Sequence, residues 1–450
     1  MTVNNPNPDQ SIYNNPFYDV PDHPGGLPAD NRVKIRNFIR NAVNNWKTEY
    51  ILIVGDVDVI PIRFLWCVAS QDLEGNSCSD FYYQCIDGPY NNGGDPNKWG
   101  ELKDGINNKV VDLLCDVYIG RVPAGTPAEM SNFIAKTISY ETDVFTNPDY
   151  EYLKSTLFVG EKISFQGEPD FFAATMLEMV RVGGFNTIGV QASDIFTSTL
   201  YERNEMWDFI DIHNVIQSNN YSIFNQLGHG HQRKFMKLIN GTYTFNNSKY
   251  PFINSLACLA GYICYTQDDC AAEYLITRQE HGFWGGIFNS NVGLWKNDIE
   301  IQYGPSLTLN REFWQSHIYK GIFHIGEINA DSHESIIAYL VSSSNISCRI
   351  GVPLLWCTYE TNLLGDPFTF FRDPVPCDLN LGISIISGFS EKLARKTIEA
   401  ANVNVIKLAD QTNVNFIAGK EIRLLPGFNV QRGAEFKAFV DTVVRNPDCE

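Results

Sequence analysis

Short apolar runs separated by stretches of helical spacing dominate the chain. Residues 33–46 place Ile35, Phe38, Ile39, Val43 and Trp46 at helical intervals, with Asp30-Asn31 ahead of them as a cap. Tyr50-Ile-Leu-Ile-Val54 then runs into Gly55-Asp56, a pattern suited to a parallel strand buried on both faces. Residues 116–120, 156–160 and 187–191 have the same character, and residues 128–145 and 170–182 read as helices between them. Residues 221–227, 252–257 and 283–288 are further strand candidates. This alternation predicts an α/β fold of mostly parallel sheets flanked by helices. Ahead of it, residues 1–30 are rich in Asn, Pro, Asp and Gly without periodicity and read as an extended arm.

The pattern changes after Arg372-Asp-Pro-Val-Pro. Residues 378–443 read as short strands with turns, and Phe416, Ile422, Leu424, Phe428, Val430 and Phe436 are expected to form one buried face of a small all-β module. No repeat of 20 to 50 residues is visible in the sequence.

Composition narrows the function classes. Of 450 residues, 44% are hydrophobic and 19% charged, which excludes a wholly disordered chain. The net charge of −18 argues against nucleic acid as a partner and suits a cation held by oxygen ligands. No apolar run is long enough to span a bilayer. The first residues carry neither a basic region nor an apolar one, so no signal peptide is visible in this chain. Eleven cysteines, with no C-x-x-C pair, speak against a zinc site and leave at least one thiol unpaired within the chain.

Several catalytic motifs are absent: H-E-x-x-H, G-x-S-x-G, the P-loop and a complete G-x-G-x-x-G. Two strand ends remain. One runs into Gly228-His229-Gly230, the other into Ala257-Cys258. In parallel sheets, ligands sit beyond the carboxyl ends of strands, and a thiol beside an imidazole is the minimal nucleophile–base pair for acyl transfer. Gly230 would leave a backbone N–H approachable for an oxyanion. A lone cysteine at a strand end also reads as inert core, and spacing alone leaves both readings open.

The residues 227–231 (Leu-Gly-His-Gly-His) and 252–262 (Phe-Ile-Asn-Ser-Leu-Ala-Cys-Leu-Ala-Gly-Tyr) resemble the catalytic core of the gingipain family of cysteine peptidases, within the caspase-like clan. Residues 50–61, Ser79-Asp-Phe-Tyr-Tyr83 with 116–124, and Leu363-Leu-Gly-Asp-Pro367 resemble the family's flanking segments, so the likeness runs over about residues 31–373. It implies a caspase-like fold of two adjoining subdomains, residues 31–145 and a catalytic 146–376, between the arm at 1–30 and a β module at 377–450. The resemblance makes Cys258 the nucleophile, His229 the base and Glu161 the carboxylate that orients it, with Gly230 and Cys258 as oxyanion donors. Asp170 falls where arginine-specific relatives place the acid that pairs with the P1 side chain, although Pro169-Asp170 reads equally well as a helix start. Trp295 resembles the aromatic wall of the same pocket. His231 is the rival base.

The implied activity is endopeptidase action on proteins or peptides, cleaving after Arg or Lys, without an organic cofactor. A structural calcium ion and a pro-segment are also implied, because only the short arm precedes the first helix. The C-terminal module resembles one common in secreted Bacteroidetes proteins, implying a secreted or cell-surface bacterial location. Two other readings stay open: a catalytically silent binding protein of the same fold, and a caspase-like protein that processes itself.

Overall fold

The computed structural model describes residues 11–70, 72–146, 152–164, 168–183, 189–190, 195–295, 304–337, 351–369, 371, 378–382, 384–386, 389–394, 397–406 and 412–440. Contacts divide the chain into two units, Met1–Thr137 with Ser155–Phe371, and Ile138–Lys154 with Arg372–Glu450.

The first unit is built on one eight-stranded sheet. In chain order the strands of this unit are β1 (Tyr50–Val54), β2 (Arg63–Ser70), β3 (Leu73–Ser79), β4 (Tyr118–Val122), β5 (Ser155–Gly160), β6 (Phe196–Tyr201), β7 (Ile223–Leu227), β8 (Gly230–His231), β9 (Lys234–Phe235), β10 (Leu238–Ile239), β11 (Phe252–Ser255), β12 (Gly285–Asn289) and β13 (Thr361–Leu364). The large sheet has the order β1-β4-β13-β12-β11-β7-β5-β6; β2 and β3 form a separate hairpin, and β8 to β10 a small meander. Every neighbouring pair in the large sheet is parallel except β12 with β13. The sheet is therefore two parallel halves joined at one antiparallel seam. β7, β11 and β12 are buried along their whole length, as expected for strands covered by helices on both faces.

Most expected elements form. The helix expected over 33–46 is an α-helix, Asn31–Asn41, capped by Asp30, whose side chain accepts from the Val33 N–H, and it continues as a π turn, Ala42–Trp46. The helix expected over 170–182 starts later, at Ala174, because Phe172 pairs with Lys162 in an antiparallel bridge ahead of it. Of the strand expected over 187–191, only residues 189–190 lie within the described residues. The arm is not loosely extended where it is described. Ile12 and Tyr18 are buried, and Asp22 pairs with Arg36 at 2.5 Å and Arg40 at 3.2 Å.

A second buried pair sits beside the seam. Arg121 on β4 is fully buried and donates through Nε (2.7 Å) and a terminal nitrogen (2.8 Å) to Asp80, which follows β3. Its other terminal nitrogen donates to the carbonyls of Gly55 and Ile60, after β1. Glycine at 120 is required by packing: a Cβ there would lie 2.2 Å from the Gly365 carbonyl oxygen.

The second unit corrects two expectations. Its strands are β14 (Asp378–Leu381), β15 (Ser384–Ile386), β16 (Phe389–Ala394), β17 (Thr397–Ala400), β18 (Val403–Val405), β19 (Asn413–Ala418), β20 (Glu421–Leu424), β21 (Asn429–Val430) and β22 (Glu435–Val440). They pair in parallel as β14-β17-β20, β15-β18-β21 and β16-β19-β22. The chain thus winds three times around one core, each turn adding one strand to each of three faces. A structural repeat exists where the sequence showed none. Phe416 is fully buried at its centre, with Phe428 and Phe436 packed edge-on within 6.0 Å and 5.0 Å. Leu424, expected inside, is 45% exposed.

The Arg121 pair gives the first prediction. Asp80→Ala strands a buried guanidinium and should destabilise the protein by about 3–5 kcal/mol. Arg121→Met, which fills the space without a charge, should cost less. Equal losses in chemical denaturation would mean that packing, not the charge, is what matters there.

Candidate active site

Three adjacent parallel strands, β5, β7 and β11, end side by side, and their carboxyl ends carry Glu161, His229 and Cys258 in that order. The backbone locks the three ends together. Glu161 N–H donates to Leu227 O at 3.1 Å, and Leu256 N–H donates to Gln226 O at 2.9 Å.

The two glycines around His229 are demanded by this proximity. A Cβ on Gly228 would lie 2.6 Å from the Glu161 carboxyl carbon; one on Gly230 would lie 2.3 Å from Cys258 O and 2.9 Å from Cys258 N. His229 is therefore carried on a backbone wedged between the carboxylate and the cysteine turn. That turn is itself tight. Leu259 adopts a left-handed φ of 57°, its N–H bonds Asn291 O at 2.9 Å, and a Cβ on Gly261 would meet Phe288 at 2.6 Å.

Next along the sheet, the segment after β12 supplies a wall. A cavity of about 190 Å³ is lined by His229, Cys258 and Trp295, with Ile163, Leu227, Leu256, Val292, Leu294 and Ser306. Trp295 stacks on Phe171, with ring centroids 4.9 Å apart and planes 13° from parallel. Phe171 reaches this position because Ile163 and Ser164 both donate to its carbonyl, and Ser164 Oγ accepts its N–H. Phe171 escaped the sequence reading, in which it is one more apolar residue at a helix start.

Burial sets the electrostatics of the site. Burial pushes the Cys258 thiol up, and the nearby Glu360 carboxyl adds to this, while the Gly293 N–H works against it. Glu360 is itself fully buried, and that burial pushes its carboxyl well above the usual carboxylate range. Glu161 is 5% exposed. Burial and the charge of Glu202 push its carboxyl up to about 7. Its Oε2 accepts the His229 backbone N–H at 3.3 Å, while Oε1 is buried with no partner among the described residues.

Two sequence candidates lie elsewhere. Asp170 is no buried pocket floor: its side chain is 63% exposed and pairs with Lys162. Among the described residues, no carboxylate lines the cavity. His231 is exposed in the small meander and does not line the cavity either. For a metal ion, the cluster found among the described residues is Asp87, Asp112 and Asp116, whose oxygens lie within 4.8 Å of one another. Burial raises the Asp112 and Asp116 carboxyls, and mutual repulsion adds to it. Hard oxygen donors of this kind suit calcium.

Residues 10–371 match the family model described as peptidase family C25. Among solved structures, the chain is similar to the Arg-specific cysteine proteinase gingipain R, at 17% identity and TM-score 0.53, covering 79% of this chain and 72% of that one. It is similar to the complex of Porphyromonas gingivalis RgpB pro- and mature domains, at 18% and 0.51, covering 79% and 73%. A structure described as a protease matches at 16% and 0.54, with the same 79% and 73%. At these identities the likeness concerns the fold. No curated protein matches.

The raised Glu161 carboxyl carries a pH prediction. Its folded value, about 7, exceeds the ordinary value of 4.5, so the folded state holds this proton more tightly than the unfolded one. The resulting stabilisation is complete below pH 4.5 and is lost as the pH rises through 7. Glu161→Gln should therefore melt above wild type at pH 8, with the two curves converging toward pH 4.5. A constant difference across that range would put the Glu161 ionisation outside this window.

Proposed function

Because the chain belongs to peptidase family C25, the gingipain family of cysteine peptidases, we propose that Cys258 and His229 are the nucleophile and base of an endopeptidase. The observation that carries this is the ordered row of Glu161, His229 and Cys258 on adjacent strand ends, with both glycines of the His229 turn required by close approach.

Burial raises the Cys258 thiol, and a protonated thiol is a poor nucleophile, so His229 would take its proton as Cys258 attacks the scissile carbonyl. The tetrahedral intermediate needs donors for its oxygen. The Cys258 N–H, on the nucleophile's own turn, is one proposed donor. Gly230, abutting Cys258, is the second. His229 then protonates the leaving amine, a thioester remains, and the same imidazole activates the water that hydrolyses it. Glu161 holds the His229 backbone at 3.3 Å, so its part in this scheme is positional.

The P1 side chain would enter the cavity against Trp295. Arginine specificity through Asp170 would require a substrate guanidinium to displace Lys162 from an exposed carboxylate. The apolar lining instead supports an uncharged aliphatic or aromatic P1 residue. Calcium, if bound, would be held by Asp87, Asp112 and Asp116 and would neutralise their repulsion. Export to the cell exterior and synthesis with a pro-segment complete the reading; one structural relative is a complex with its pro-domain.

Cys258→Ala and His229→Ala should each lower peptide hydrolysis by about 10³-fold or more with the fold intact, because the two act as a unit. His231→Ala should keep activity within a few-fold. Full activity in Cys258→Ala would end the proposal.

A peptide library should show apolar P1 residues ahead of Arg. Asp170→Asn should change kcat/KM on Arg substrates by at most about fivefold, the worth of an exposed ion pair. A profile dominated by Arg and abolished by Asp170→Asn would reinstate Asp170 as the pocket acid.

A further inference from the structure

Cys85 and Cys115 lie away from the catalytic row, with their sulfurs 3.9 Å apart. Their backbones are tied on both flanks: Asp116 N–H donates to Gln84 O at 3.0 Å, and Ile86 N–H donates to an Asp116 carboxylate oxygen at 2.8 Å. Between them runs a segment whose described residues form no strand and only one short helical turn, Ile106–Asn108. That segment carries five glycines and two prolines. Such a stretch loses much conformational freedom on folding, and no covalent link joins its two ends in this structure.

We propose that Cys85 and Cys115 form a disulfide that closes this segment in an oxidising compartment. The sulfurs need to approach by about 2 Å to reach bonding distance, within reach of side-chain rotation. Cys115 is half-buried and Cys85 fully buried, which orders the events. The Cys115 thiolate attacks a small-molecule disulfide such as oxidised glutathione, releasing one thiol and leaving a mixed disulfide. The Cys85 sulfur then displaces the second thiol. Two protein thiols lose two electrons and two protons, and the oxidant is reduced to two thiols. The bond removes unfolded-state freedom from a loop of about 30 residues, so its effect falls mainly on stability. The proposal does not depend on the peptidase reading.

The test treats the full chain with oxidised or reduced glutathione, alkylates it under denaturing conditions and maps the peptides. The expected result is a linked Cys85–Cys115 peptide in the oxidised sample, with both cysteines alkylated in the reduced one. The oxidised protein should melt about 2–5 °C higher, and Cys115→Ser should remove that difference. Cys115 is half-exposed, so its serine variant keeps the core intact, and the map of the wild-type protein decides the matter if that variant fails to fold. Alkylation of both cysteines after oxidation, or a link from either to a third cysteine, overturns the proposal. A melting difference that survives in Cys115→Ser overturns it as well.

Discussion

The buried pairing of Arg121 with Asp80 is the constraint on which the large sheet depends. One guanidinium ties two separate stretches to β4: the carboxylate after β3, and the Gly55 and Ile60 carbonyls after β1. The Arg121 backbone carbonyl in turn accepts the Gly365 N–H at 2.8 Å, just after β13. β13 is the strand that meets β12 in antiparallel sense, so this cluster registers one half of the sheet against the other. A buried ion pair is a poor source of net stability compared with packed apolar groups. What a planar fork of donors supplies is geometry.

Much of the first unit was legible because burial on both faces leaves a plain signature. β1, β4, β5, β7, β11 and β12 are short apolar runs that end in glycine or polar residues, and neighbouring strands with short connections tend to lie side by side. The antiparallel seam was not legible. Thr361–Leu364 reads as one more buried strand, and nothing in four residues encodes which way its neighbour runs. The β2–β3 hairpin was missed for a different reason: Leu73 to Ser79 carries Glu, Gly, Asn and Ser, a weak strand signal overridden by pairing with Arg63–Ser70. In the second unit, the successive turns are offset by unequal lengths, with Asp378 opposite Thr397 but Thr397 opposite Glu421. Unequal corners hide a period that the strands keep.

At the site, the residue types were legible and their environments were not. Glycine on both sides of His229 announced close backbone approach, and the structure supplies the two neighbours responsible, Glu161 and Cys258. The position of Asp170 could not be read the same way. An acid after proline is compatible with a pocket floor or with solvent, and only the return of Phe171 against Trp295 decides where the adjacent carboxylate goes. Exposure then makes it a partner for Lys162.

The three-turn winding of the second unit has an evolutionary corollary. Each strand pairs only with its counterparts in the neighbouring turns. Such an architecture can lengthen or shorten by whole turns through gene duplication or deletion, without repacking what remains. Its corners, where the offsets already vary, are where insertions would be tolerated. The eight-stranded sheet has no such freedom: losing β7 would part the strand ends that carry Glu161, His229 and Cys258.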